Sequence, residues 1–269
     1  MSAGNSARPP WVPEEVDPRC PTAARVYDYL LGGSHNLPSD RELVERALAA
    51  RPDLAALARA NRAFLRRAVR FIAGRGVRQF LDLGSGIPTE GNVHEILFEA
   101  SPRSRVVYVD LDPAAVAHAR TLLAGERRVG VVEGDLRRPR EVLDVPVAEG
   151  LLDLSEPVAV LLVSVLQFLA DTDDPWAVLS RLRETVPSGS HLALVHPVLT
   201  GRSGPDDALV EVYRRAGTSV ALRDVEAVRR FFDGWQLVEP GLVPVPDWRP
   251  EPGDTATDEA FYAGVAVKA

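Results

Sequence analysis

Apolar positions along this chain follow two regimes. Up to about residue 75 they recur at helical spacing. Residues 23–31 read as a short helix stopped by Gly32 and Gly33, and Ser39-Asp40-Arg41-Glu42 reads as a capping box for a helix reaching Ala50. Leu54, Leu57, Phe64, Leu65, Ala68, Val69 and Ile72 mark a third helix over 53–73, closed by Gly74. Beyond that point compact apolar runs alternate with helical patterns. Strands are predicted from Gln79 into a glycine turn and over 105–110, 129–133, 158–165 and 191–195, with the continuous run 158–165 marking a central strand buried on both faces. Helices are predicted over 92–99, from Asp112-Pro113 to Leu123, from Asp174-Pro175 to Pro187, over 206–217 and over 224–232. The segment between Glu133 and Glu156 reads as a polar crossover. Two last strands, 236–243 and 261–267, flank a proline-rich excursion and form an antiparallel pair. Strands alternating with helices predict an α/β fold around a parallel sheet.

A length of 269 residues allows one large α/β domain with a cap. The expected division is a flexible leader over 1–20, a helical cap over 21–75 and a Rossmann-like core over 76–269. Hydrophobic residues make up 46% and charged residues 26%, and no apolar run approaches the roughly 18 residues of a membrane span. Met1 to Pro10 lacks a charged segment followed by an apolar core, so no secretory signal is read, and Cys20 is the single cysteine. The cytoplasm is the expected compartment. A net charge of −7 argues against a nucleic-acid partner, since phosphate binding needs a basic footprint. Lys268 is the only lysine among 31 basic residues, a bias that reflects genome composition better than function.

The chemistry concentrates where the strands end. Gln79 to Leu83 runs straight into Gly84-Ser85-Gly86, and Val106 to Asp110 is a second apolar strand whose terminal acid lies at the spacing of a ribose-binding carboxylate. A dinucleotide fingerprint needs a third glycine where this chain has Thr89, and Asp82 beside the turn would repel a diphosphate. An acid there suits a ligand with an ammonium and a sulfonium, as S-adenosylmethionine has. A third strand ends in Gly134-Asp135-Leu136, where a carboxylate is placed to accept from an adenine amino group. Three strands thus end in Gly or Asp at one rim of the sheet, the position of a ligand crevice.

These motifs together resemble the class I fold of S-adenosylmethionine-dependent methyltransferases. More narrowly, the chain resembles a bacterial S-adenosyl methyltransferase family formerly held as a domain of unknown function. The resemblance rests on Ala24 to Gly33, Ala60 to Val69, Gln79 to Gly86, Gly91 to Glu95, Val107 to Asp110, Asp171 to Pro175 and Gly241 to Pro244, and spans nearly all of 21–269. It implies a seven-stranded, mostly parallel sheet with a C-terminal antiparallel hairpin and an N-terminal helical cap, and methyl transfer to a small-molecule acceptor. The candidate cofactor residues are Asp82, Gly84, Ser85, Gly86, Asp110, Leu111, Gly134, Asp135, Leu136 and Ser164. Tyr27, Tyr29, Gly32, Gly33, His35, Asn36, Arg62 and Gln167 are the substrate or lid candidates, with Gly32-Gly33 as the hinge of a mobile lid. Two positions depart from the family pattern. Ser34-His35 precede Asn36 where a charged pair is usual, and Gln167-Phe168 stand where His-Phe is common.

His196, after the fifth strand, is the candidate acid or base for the acceptor step, its ordinary pKa being near neutrality. His94 and His118 read as surface residues on helices. Arg59, Arg62, Arg66 and Arg70 form one stripe of the third helix, read first as a solvated face; the alternative is that Arg62 turns inward to orient a carboxylate of cofactor or substrate. Asp171, Asp173 and Asp174 read as a helix cap with solvated neighbours, no cluster has metal-ligand spacing, and no Gly-x-Ser-x-Gly elbow surrounds Ser164. Two alternatives stay open: a non-catalytic S-adenosylmethionine-binding regulator and a nicotinamide-dependent oxidoreductase.

Overall fold

The apolar runs assemble into one sheet. The computed structural model describes residues 9–88, 91–199, 201, 205–254 and 259–269; Thr89 lies outside them. Strands β1 (Gln79–Leu83), β2 (Arg105–Asp110), β3 (Val129–Glu133), β4 (Val158–Val163) and β5 (His191–Pro197) run parallel in the order β3-β2-β1-β4-β5. Every residue of β1 and β5 is buried, as their near-continuous apolar sequences require, while edge strand β3 buries only Gly130 and Val132. β6 (Gln236–Leu237), β7 (Val243–Pro244) and β8 (Phe261–Val267) complete the sheet. β8 lies between β5 and β6, antiparallel to both, and β7 pairs with its other end. The strand expected over 236–243 is therefore two short strands, because Pro240 has no amide to donate and Gly241 turns the chain at φ 93°. Among the described residues that division gives eight strands in place of seven.

Two helical layers cover the sheet. On one face α3 (Leu54–Gly74) and α4 (Val93–Ala100) bury Phe64, Val69, Ile72 and Leu97 against Phe80, Val106, Leu161 and Val195. On the other, α6 (Pro139–Ala148) and α7 (Pro175–Thr185) set Val142, Leu143, Leu179 and Leu182 against Leu81, Val107, Leu162 and Leu194. Each large aliphatic side chain buried in this way contributes about 1.5–3 kcal/mol. The helix α6 replaces the expected polar crossover. Its period is hard to read because Pro139 opens it and Pro146 lies inside it, yet Val142, Leu143 and Pro146 are all buried. α5 (Pro113–Leu122) is capped by Asp112, which accepts from Ala114 N–H at 2.9 Å.

The cap is α1 (Ala23–Leu30), α2 (Pro38–Ala50) and the start of α3, joined by α8 (Pro205–Arg215) from after β5. Val26, Leu43, Val44, Leu54, Leu209 and Tyr213 share one apolar cluster, so the roof draws on both ends of the sequence. α2 starts at Pro38, one residue before the expected box: the Asp40 carboxylate accepts from Leu37 N–H at 2.7 Å, and Ser39 instead donates to the Pro18 carbonyl. From Pro9 onward the expected loose leader is packed, with Val12 and Val16 buried against Leu37 and Ala114. α9 (Val225–Arg229) precedes β6.

Candidate active site

The rim is built by chain reversal at the carboxyl ends of β1, β2 and β4. Gly84 and Gly86 adopt φ 71° and 67°, the left-handed region in which a side chain is strained, and a Cβ on Gly84 would overlap Val165. The turn closes onto β2. Gly84 and Ser85 N–H groups donate to the Val109 carbonyl at 2.8 and 3.1 Å, and Gly86 N–H donates to Asp110 Oδ2 at 2.6 Å. Asp110 Oδ1 accepts from Asp112 N–H at 2.9 Å.

Two carboxylates meet here, Asp82 buried and Asp110 half-buried. Burial pushes the Asp82 carboxyl up to about 7, with the neighbouring Asp110 adding to the rise and the Arg62 charge opposing it. Burial likewise holds Asp110 up at about 6, against the N–H groups of Asp112 and Gly86. Arg62 donates to the Gly91 carbonyl at 2.7 Å, and its charge reaches Asp82 and Tyr27 alike. Beside the turn, α1 packs Ala24 on Ile87 and Ala115. Leu111, directly after β2, is 59% exposed and offers an apolar face for a base.

The end of β4 forms the other wall. The expected strand over 158–165 stops at Val163, and Ser164 turns at φ 57° into a 3-10 turn over Leu166–Phe168. Asn61 Nδ2 donates to Ser164 Oγ at 2.7 Å and Gln167 Nε2 to the Ser164 carbonyl at 2.8 Å. Arg223 holds the turn from behind, donating to the carbonyls of Leu166 and Leu169 and pairing with Asp171 at 2.8 Å. Asn61 was not among the sequence candidates. Its signal is a polar residue on the apolar stripe of α3, between Leu57 and Phe64, with 2% of its surface exposed.

Several expectations are corrected. His196 is fully buried in β5. Its Nδ1–H donates to the Pro197 carbonyl at 2.7 Å and its Nε2 accepts from Arg223 at 2.8 Å, while burial drives its pKa down to about 3. Both ring nitrogens are engaged, so it serves the packing of β5 and not an acceptor. The hinge at Gly32-Gly33 is a closed turn whose N–H groups donate to the Tyr29 and Asp28 carbonyls at 3.0 and 2.8 Å. A Cβ on Gly33 would overlap the Asp28 carboxylate, which also accepts from His35 N–H and Asn36 Nδ2. The cap is pinned further in. Buried Arg25 donates to Asp40 Oδ2 at 2.8 Å and lies 3.7 Å from Asp112, whose other neighbour is the Thr22 hydroxyl. Tyr29 packs on the cluster between α1, α2 and α8. His35 and His118 are not separate surface groups; their rings lie 3.8 Å apart with Trp11 at the edge of His35, and His94 is held by Tyr108 Oη at 2.7 Å. Asp135 reaches the rim with its carboxylate bridged by Arg137 at 2.7 Å, and Leu136 is buried. Gly134 is needed for packing, since a Cβ would stand 3.0 Å from Val142 of α6. Arg66 and Arg70 pair with Glu251, as a solvated stripe would, but Arg67 turns inward to the Trp248 and Val245 carbonyls at 2.8 Å.

S-adenosylmethionine fits this donor set. Two carboxyls whose pKa burial raises, and whose ionised forms a cationic ligand would favour, are suited to an ammonium at Asp82 and ribose hydroxyls at Asp110, and the glycine turn admits close approach. A diphosphate would meet those same acids. The comparisons agree. A family model described as S-adenosyl methyltransferase matches residues 9–269. A DUF574 family protein from Streptomyces avermitilis is 38% identical in its crystal structure, covering 94% of this chain and 99% of that one with a TM-score of 0.89. A candidate methyltransferase from Thermobifida fusca is also 38% identical, covers 97% of this chain and 99% of that one, and has a TM-score of 0.89. The S-adenosylmethionine-dependent methyltransferase SibL in its apo form shares 20% identity over 90% of this chain and 61% of that one, with a TM-score of 0.51, a likeness of fold alone. Among curated proteins none matches. With a glycine turn flanked by two acids and a family match running nearly end to end, the chain belongs to the S-adenosyl methyltransferase family and uses S-adenosylmethionine as its methyl donor.

Proposed function

We propose that this methyltransferase acts on a small-molecule acceptor held between the rim and the cap, by in-line transfer, in the cytoplasm. The observation that carries the reading is the pair of acids, buried Asp82 and half-buried Asp110, on either side of a left-handed glycine turn and beside a helical roof. The donor supplies a methyl carbon already activated by its sulfonium. The chain's part is to bind, orient and exclude water. Asp110 receives the ribose hydroxyls, Asp82 and Arg62 take the charged methionine end, and Leu111 covers the base. A roof of α1, α2, α3 and α8 packed beside the turn favours a small molecule over a macromolecule. Among the described residues no helix is long and apolar enough to cross a membrane.

The test is a titration of the purified chain with S-adenosylmethionine, followed by release of S-adenosylhomocysteine in the presence of a small-molecule fraction and of a protein and nucleic-acid fraction from cells. Binding with release only in the small-molecule fraction is expected. Release confined to the macromolecular fraction would overturn the acceptor class, and absence of binding would overturn the site.

A further inference from the structure

We propose that Asn61 and Gln167 form an uncharged subsite that receives the two N–H groups of a weakly basic primary amine, making that nitrogen the methyl acceptor. The proposal rests on the methyltransferase reading above and narrows it to one class of substrate.

Both amides are held from their nitrogen side. Gln167 Nε2 donates to the Ser164 carbonyl, and because a carbonyl cannot donate, the amide has one possible orientation. Asn61 Nδ2 donates to Ser164 Oγ at 2.7 Å, and the Tyr27 hydroxyl donates to the Ala58 carbonyl at 3.1 Å. Each amide is left with a buried oxygen, Asn61 Oδ1 and Gln167 Oε1, that has no hydrogen-bond partner. Buried acceptors without a donor are uncommon in folded proteins, and a ligand is one way to satisfy them.

Their position is consistent with the acceptor end of the site. Ser164 follows β4, which pairs with β1 so that Leu161 stands opposite Asp82, and Val165 lies against Gly84. Asp110 is on the other flank of β1, so the amides stand on the side of Asp82, Arg62 and Tyr27. Ser164 holds a left-handed backbone that a serine rarely adopts, fixed by its N–H on the Val195 carbonyl at 3.1 Å and by the Arg223 clamp on the turn after it. Strain maintained in this way is found where side chains must be held for a ligand.

Two acceptor oxygens match a group that brings two donors and keeps a lone pair. A primary amine does so; a hydroxyl brings one donor and a carboxylate none. The nitrogen lone pair forms the N–C bond to the methyl carbon as the C–S bond breaks, its electron pair staying on sulfur to leave S-adenosylhomocysteine. The methylated ammonium then releases a proton to water. Neither amide takes up a proton, so the amine must arrive uncharged, as an aryl amine does at neutral pH.

Sinefungin tests this without knowledge of the substrate, because it carries a C–NH₃⁺ group in place of the S–CH₃ of the donor. Calorimetry on the full chain should show sinefungin binding about 10-fold more tightly than S-adenosylhomocysteine. Gln167→Leu should remove most of that preference while S-adenosylhomocysteine affinity stays within about twofold, and Gln167→Glu, which adds a charge, should enlarge it. Equal affinity of the two ligands for the unmodified chain would overturn the subsite, as would a Gln167→Leu loss shared equally by both, which would assign the amide to the donor. Failure of either ligand to bind would instead remove the methyltransferase reading beneath it.

Discussion

The rim at the ends of β1 and β2 and the cap packed over it both bury carboxylates, and they treat them differently. In the cap, Asp40 is fully buried and fully served: Arg25 and Leu37 N–H at one oxygen, Thr22 N–H at the other. At the rim, Asp82 lies under its neighbour's like charge with Arg62 acting from a distance, and its carboxyl is held up at about 7. A buried acid with a complete partner set is scaffold. One left short of partners at the mouth of a cleft is a place for a ligand's charge.

Removing the cap's partner breaks the comparison most sharply. Arg25→Met leaves Asp40 buried without its cation and should destabilise the fold by about 3–5 kcal/mol, read from thermal or denaturant melts. A change of under about 1 kcal/mol would show that the cap is not anchored there. Next come Asp112 and Asp110, two residues apart on opposite sides of the divide. Asp112 caps α5 and also accepts from Thr22 near Arg25, so Asp112→Ala should lose more than the roughly 0.5–2 kcal/mol of a helix cap alone. Asp110→Ala should leave the unliganded melt nearly unchanged and weaken S-adenosylmethionine by about 10- to 100-fold in calorimetry. Wild-type affinity in that variant would remove the ribose assignment.

Acidity sharpens the contrast further. The rim acids have folded pKa values of about 7 and about 6, above the ordinary 3.8. The stability that their neutral forms contribute is complete below about pH 4 and lost as pH rises through 6 and 7. The thermal shift produced by S-adenosylmethionine should therefore grow from pH 5 to pH 8, as those acids ionise toward a cationic ligand, and a flat profile would mean that they do not meet it. The smallest effect is expected at Arg137, whose half-exposed pair with Asp135 contributes little to the fold. Arg137→Ala should leave the melt almost unmoved and, by freeing Asp135, tighten S-adenosylmethionine about two- to fivefold.

What was legible in the sequence follows the same line. The β1 turn, Asp110 and the Asp112 cap are local patterns, in which a few adjacent residues determine the geometry. The anchors of the cap and the acceptor wall are not local: Arg25 meets Asp112, Arg67 meets Trp248, and Asn61 meets Ser164 across long stretches of chain. No periodicity encodes such meetings. His196 was misplaced for a related reason, since its neighbour Arg223 comes from a loop whose position only the tertiary fold determines. Proline concealed α6, because Pro139 and Pro146 interrupt the pattern that Val142 and Leu143 begin.

Among the described residues β8 follows the other strands in sequence and yet lies inside the sheet, between β5 and β6. Until 261–267 has emerged from the ribosome, the seven buried residues of β5 present an open hydrogen-bonding edge to any neighbouring chain. Synthesis thus passes through an interval in which most of the donor rim is formed and the molecule is still prone to aggregate. Interruption of translation within that interval should yield insoluble protein rather than a smaller working enzyme.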